Sequence, residues 1–316
     1  MRRRAFSPRR LSGLYAILAV VCCAQKFPQA SCHLVSPLRR YSLKLESFVP
    51  TPGRAIGVLL KARINGGRPL RLVLDSGAEH VVLSSSTARA VGLPSGPSLS
   101  LVGFGRMEAG GSLRHAGTVE VGPLTFHDCA VDVVTHKVVE GADGVLPLVL
   151  FSDFLVALDF PRKDLELSPY QSTSSASPHF TRALAVNAVL FLRTALNERH
   201  DGYFLLDTGA AHNAISRRIG EVLGGPGVGA PTTFVRGAAG LSEVQQMRGE
   251  VRFRTAGQEI TSNDVVMVDL DTISRYNGLE VAGLLGYPAL KEYVVTVNYR
   301  DALVRMEGRN AIPESQ

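Results

Sequence analysis

LRLVLDSGAEHVVLS at residues 70–84 returns 132 residues later as GYFLLDTGAAHNAIS at 202–216. Asp75 aligns with Asp207, Ser76 with Thr208, Gly77 with Gly209, Ala78 with Ala210, His80 with His212 and Ser84 with Ser216. Each motif follows a short continuous apolar run, 72–74 or 204–206, which reads as a buried strand ending at a turn. After Ser84 comes SSTARAVGL and after Ser216 comes RRIGEVLGG. Both read as short helices with a Ser N-cap and a Gly stop, Gly92 and Gly224. A second block behaves the same way. DGVLPLVLFSDFLVALDF (143–160) matches AGLLGYPALKEYVVTVNY (282–299) at an offset of 139, placing Gly144 on Gly283, Phe154 on Tyr293, Val156 on Val295 and Phe160 on Tyr299. Two blocks in one order at nearly one offset predict a duplicated domain of about 130 residues.

The rest of the chain fits two β-rich copies. Of 316 residues, 45% are hydrophobic and 31 are Gly, which suits short apolar strands separated by turns. Stretches 118–134 and 249–270 each read as two strands around a turn. The glycine clusters GFGRMEAGG (103–111) and GAAG (237–240) suit hairpin tips, either as flexible flaps over a cleft or as plain turns. The expected texture is mostly β with one short helix per copy. Boundaries follow: an N-terminal copy at 42–167, a Ser- and Pro-rich linker at 168–180 and a C-terminal copy at 181–310, after an irregular lead-in at 25–41.

The net charge of +6 is misleading until it is located. Arg2, Arg3, Arg4, Arg9 and Arg10 lie in residues 1–24, which hold no acid, so residues 25–316 carry only +1. The chain therefore lacks the clustered basic surface that nucleic-acid binding needs. That basic start precedes about a dozen apolar residues ending in small ones, LSGLYAILAVVCCA, the pattern of a secretory signal with cleavage after Ala24. An uncleaved anchor is the other reading. No second apolar run is long enough to span a membrane. A secreted or periplasmic location follows, with no stable span once the signal is removed. Cys32 and Cys129 then remain in an oxidising compartment, where one disulfide is allowed but not required. No C-x-x-C, H-E-x-x-H, G-K-[ST] or G-x-S-x-G occurs, so metal, phosphate-loop and serine-hydrolase chemistry have no motif here.

A buried strand ending in Asp-Ser/Thr-Gly-Ala, twice, resembles the aspartic proteases. The Ala after each Gly is similar to the retropepsin-like branch and to related secreted bacterial proteins. In that family a later apolar-apolar-Gly element packs against each aspartate loop. Leu284-Leu285-Gly286 fits it, and Val145-Leu146-Pro147 departs from it at Pro147. The resemblance implies two similar retropepsin-like β-barrel lobes related by a pseudo-two-fold axis, with the cleft between them. It implies an aspartic endopeptidase acting on a peptide or protein substrate as a monomer, with Asp75 and Asp207 catalytic and no cofactor. It gives Ser76 and Thr208 the task of bracing the opposite loop. Gly77 and Gly209 let backbone N–H groups approach the carboxylates, and Ala78 and Ala210 leave room for the other lobe. The pepsin-like flap Tyr has no counterpart at 103–111.

The physical reason for two carboxyls is plain. Like charges a few ångströms apart cannot both ionise, so the pair shares one proton. The ionised member takes a proton from water while the protonated member donates to the scissile carbonyl. Water is the nucleophile, so no metal or nucleotide is called for. His80 and His212, at equivalent positions, could tune the aspartate pair or form a metal pair, and more often such a residue is a packed or strand-face His; Glu79, replaced by Ala211 in the second copy, reads as a rim residue. Pro147 leaves a rival open: a non-catalytic peptide-binding protein on the same bilobal scaffold.

Overall fold

A computed structural model describes residues 21–22, 32–50, 53–102, 108–171, 179–226, 232–237 and 240–308. Most of the signal-like start, the tip at 103–107 and residues 172–178 of the linker lie outside the described residues. Strands dominate. Two ten-stranded sheets form, one around each copy, the first also taking in Val21–Cys22 and His33–Leu34 from ahead of it, with a six-stranded sheet shared by both.

Each copy is built around three short strands. In the first these are β1 (Leu70–Asp75), β2 (Val81–Ser84) and β3 (Gly144–Pro147); in the second β4 (His200–Leu206), β5 (Asn213–Ser216) and β6 (Val281–Leu285). β3 lies parallel to β1, with Pro147 opposite Asp75, and antiparallel to β2. β6 sits likewise between β4 and β5, with Leu285 opposite Leu206. The downstream element is thus wedged between the two strands that flank each aspartate loop. Being covered on both faces, β1, β2, β3 and β6 carry continuous apolar runs rather than alternation. In the first copy strand Gly57–Ile64 pairs with both β1 and Glu108–Val121, so that sheet curls back on itself.

The predicted helices follow β2 and β5. Ser84 caps Ser85–Ala90 by accepting from the Thr87 N–H at 3.1 Å, and Ser216 caps Arg217–Val222 from Ile219 at 3.4 Å. Gly92 follows at φ +68°, a conformation that favours Gly. One helix per copy is too few: the second copy also has helices Asp271–Asn277 and Tyr287–Leu290. Helix Asp271–Asn277 has no bond from its N-cap Leu270; instead Asp269 Oδ1 accepts from the Asp271 N–H at 3.0 Å, and Gly278 ends the helix at φ +61°. Residues 249–270 hold three strands rather than two, Val251–Thr255, Gln258–Ser262 and Val265–Val268. Among the described residues no helix is long and apolar enough to cross a membrane.

The shared sheet runs Thr181–Arg182, Leu303–Gly308, Tyr293–Asn298, Phe154–Asp159, Asp164–Pro169, Tyr41–Lys44, three strands from each half. Its centre is antiparallel, with Val156 opposite Val297 and Leu158 opposite Val295. The 139-residue offset carries 156 to 295 and 158 to 297, so each pair maps onto the other. The pseudo-two-fold axis therefore passes through the Ala157–Thr296 pair. One apolar cluster runs through both halves from Tyr41 to Met306, and a smaller one sits in each copy. Cys32 and Cys129 are joined in a disulfide that ties the lead-in to strand Leu124–Val134.

Candidate active site

Both aspartates stand at strand ends, fully buried, on loops that meet across the pseudo-axis. The loops are locked by reciprocal hydrogen bonds. Ser76 Oγ donates to the Leu206 carbonyl at 2.6 Å and accepts from the Thr208 N–H at 3.0 Å. Thr208 Oγ1 donates to the Leu74 carbonyl at 2.8 Å and accepts from the Ser76 N–H at 3.0 Å. Each hydroxyl uses a donor and an acceptor function at once, which is why Ser and Thr serve and an apolar residue would not. All four bonds are buried, where an unmade one is costly.

The lock sets the carboxyls. Gly77 N–H donates to Asp75 Oδ1 at 2.7 Å and Gly209 N–H donates to Asp207 Oδ1 at 3.1 Å. Asp75 Oδ2 is buried and takes no N–H or hydroxyl donor; the Asp207 carboxyl lies within hydrogen-bonding reach of the Asp75 side chain. A bond between two carboxyls requires one proton between them. Burial pushes Asp75 up to about 6, with the Gly77 N–H and Asp207 pulling the other way. A Cβ added to Gly209 would fall 2.6 Å from Asp75 Cγ, so this loop approaches Asp75 as only Gly permits. Ala78 and Ala210 are buried as small packing residues. Every residue read from the sequence as part of the site is brought to this junction.

Pro147 changes what lies under the first loop: at the equivalent Gly286 a Cβ would fall 2.3 Å from the His212 carbonyl oxygen, so the first loop cannot copy the second there. At the equivalent place in the second copy, the Gly286 N–H donates to Asn213 Oδ1 at 3.0 Å. In the first copy both partners change together: Pro147 has no N–H, and the position of Asn213 is taken by Val81, which has no acceptor. Both are buried, and no polar group is stranded.

The two His residues are not merely packed. His80 Nδ1 lies 3.2 Å from Asp132 Oδ2, and His212 Nδ1 lies 2.5 Å from Asp264 Oδ1. The pairs repeat at the same 132-residue offset. Burial works against a charged His80, but the bond and charge of Asp132, with Glu79 adding, leave it raised. Asp264 is held below the usual carboxylate range; burial opposes this, and His212 and Arg54 outweigh it. Sequence reading missed Asp132 and Asp264, although Asp-Val-Val recurs in register at 132–134 and 264–266. It also missed two contacts between lobes. Arg54 pairs with Asp264 and donates to the Ala211 carbonyl, and the Tyr276 hydroxyl donates to Glu79 Oε1 at 3.3 Å. Among the described residues no group of three or more His, Cys, Asp or Glu side chains is arranged to hold a metal. A surface depression of about 760 Å³ beside helix Arg217–Val222, lined by Arg217, Glu221, Asp269 and Arg275 among others, shares no residue with the aspartate loops.

A sequence profile described as "Aspartyl protease" matches residues 60–150 and 193–289, more than half of the chain and once in each copy. The chain belongs to the aspartyl protease family. Among solved structures, the aspartic proteinase from Irpex lacteus shares the fold, with a TM-score of 0.53 at 13% identity, over 85% of this chain and 97% of the other. No curated protein matches the sequence. The two halves each supply one loop to a common junction.

Proposed function

We propose that the protein is an aspartic endopeptidase, hydrolysing peptide bonds with a water activated between Asp75 and Asp207. The observation that supports this best is the reciprocal Ser76–Thr208 lock, which brings two buried carboxyls together with a donor N–H on each. One carboxylate removes a proton from water as the oxygen attacks the scissile carbonyl carbon; the other carboxyl gives its proton to the carbonyl oxygen. Collapse of the tetrahedral adduct returns a proton to the leaving nitrogen. The roles belong to the pair, since a coupled pair titrates as a unit. The substrate is an extended peptide held by main-chain hydrogen bonds between the lobes. The protein works as a monomer, each half supplying one aspartate, in a secreted or periplasmic setting that agrees with the Cys32–Cys129 disulfide.

Pro147 favours a second reading, a non-catalytic peptide-binding protein on the same scaffold, because a Cβ at the equivalent Gly286 would fall 2.3 Å from the His212 carbonyl oxygen and the first loop must differ there. Asp75→Asn and Asp207→Asn should each lower turnover of a diverse peptide library by at least about 10³-fold while leaving the thermal transition of a folded protein in place. Undiminished cleavage by either variant would falsify the shared-proton mechanism.

A further inference from the structure

The pseudo-symmetry of the two loops breaks one residue past the conserved four. In the first loop every residue from Asp75 to Ala78 is buried, and Glu79 and His80 are the first to reach solvent. In the second loop burial continues through Ala211 and His212 to Ile215. Arg54, from the first half, lies there with its guanidinium on the Ala211 carbonyl and on Asp264, its side chain still 56% exposed. Positions 79 and 211 are equivalent, and each meets the opposite half: Glu79 through Tyr276, Ala211 through Arg54. The flanks of one aspartate pair therefore differ: Glu79 stands at one end without a cation, and at the other Arg54 is already paired with Asp264.

Three groups face Glu79. His80 is its chain neighbour, Asp132 lies behind His80, and the Tyr276 hydroxyl comes from helix Asp271–Asn277. Strand Ser98–Val102, against which that helix packs, carries no titratable residue. Among the described residues no Lys or Arg forms an ion pair with Glu79. Burial, with Asp132 adding, pushes its carboxyl up to about 7, and His80 and Tyr276 only partly offset this. A half-desolvated carboxylate without a cation gains from one brought by a ligand.

We propose that Glu79 is a specificity-determining residue that accepts a Lys or Arg side chain of the bound peptide on its flank, which the opposite flank, with Arg54 already paired to Asp264, does not offer, so one end of the substrate is selected by charge. This rests on the endopeptidase reading, and the test separates the two. Two peptides share one scissile sequence and carry a single Lys, either before or after the cut, each with a norleucine control. At about pH 8, where Glu79 is ionised, the expected result is that Lys in one placement raises kcat/KM by about fivefold over norleucine and in the other does not. Glu79→Gln keeps an acceptor for Tyr276 but loses the charge, so the lysine-to-norleucine ratio should fall to about one. Tyr276→Phe keeps the charge and should keep the ratio. Between about pH 5 and about pH 8 the wild-type ratio should rise as Glu79 ionises; the aspartate pair cancels from it. A wild type without placement preference, or a Glu79→Gln ratio equal to wild type, overturns the assignment. Fluorescence anisotropy of the same peptides on Asp75→Asn protein reads selection without hydrolysis. Lysine preference in binding with no cleavage by wild type would sink the endopeptidase reading and leave the Glu79 assignment standing; cleavage without preference would do the reverse.

Discussion

At Asp75 two influences compete, and burial wins. Its carboxyl is raised to about 6 despite a 2.7 Å bond from the Gly77 N–H. The pair therefore keeps its proton until the pH approaches 6 and loses its donor above that. If the pair hydrolyses peptides, kcat/KM should fall by about tenfold per pH unit well above the transition. Stability carries the same sign. The folded value exceeds the unfolded one of about 3.9, so the contribution is complete below that and is lost as pH rises through about 6. Urea unfolding of wild type and Asp75→Asn should show the difference between them shrinking from about pH 4 to about pH 7. A constant difference would mean that Asp75 titrates as an ordinary exposed acid. The residues of this junction were legible in the sequence because the duplication repeats them at one offset. The charge asymmetry around them was not, since Glu79, Arg54 and Tyr276 are far apart in the chain and meet only where the halves touch.

Between elements, the paired change at Val81/Pro147 and Asn213/Gly286 is a hydrogen bond present in one copy and removed from both ends in the other. Removing one end alone should hurt. Asn213→Val leaves the Gly286 N–H buried and unpaired, and should cost about 1–3 kcal/mol in urea unfolding. Pro147→Gly should also destabilise, by exposing an N–H beside Val81, and Val81→Asn added to it should recover most of the loss. An additive double variant would refute the compensation. In the sequence Pro147 read as a defect because its complement lies 66 positions earlier in the numbering. The Ser-capped helices were readable because their signal is local. Helix Asp271–Asn277 was missed although Asp269 and Gly278 bracket it, since its short run packs both on strand Val281–Leu285 and on the other half's strand Ser98–Val102, a contact between halves that no local pattern gives.

Across the molecule, the Cys32–Cys129 bond closes a loop of 97 residues. By chain entropy a loop of this size is worth up to about 4.7 kcal/mol, and such bonds typically deliver about 2–4, so Cys32→Ser should lower the urea midpoint while peptide cleavage at low denaturant persists. Equal midpoints for variant and wild type would show that the crosslink adds nothing. The shared six-stranded sheet was hidden from sequence reading for a related reason. The matching blocks at 143–160 and 282–299 were visible as repeats, yet nothing in either says that it pairs with the other.

That sheet also puts a delay into the birth of the molecule. Strand Phe154–Asp159 pairs on one side with Asp164–Pro169, which emerges at once, and on the other with Tyr293–Asn298. On a ribosome adding about 5–20 residues per second, the second neighbour arrives roughly 7–30 s after the first. For that interval a nearly finished half presents a bare hydrogen-bonding edge to the crowded cell, where any other extended chain can dock on it.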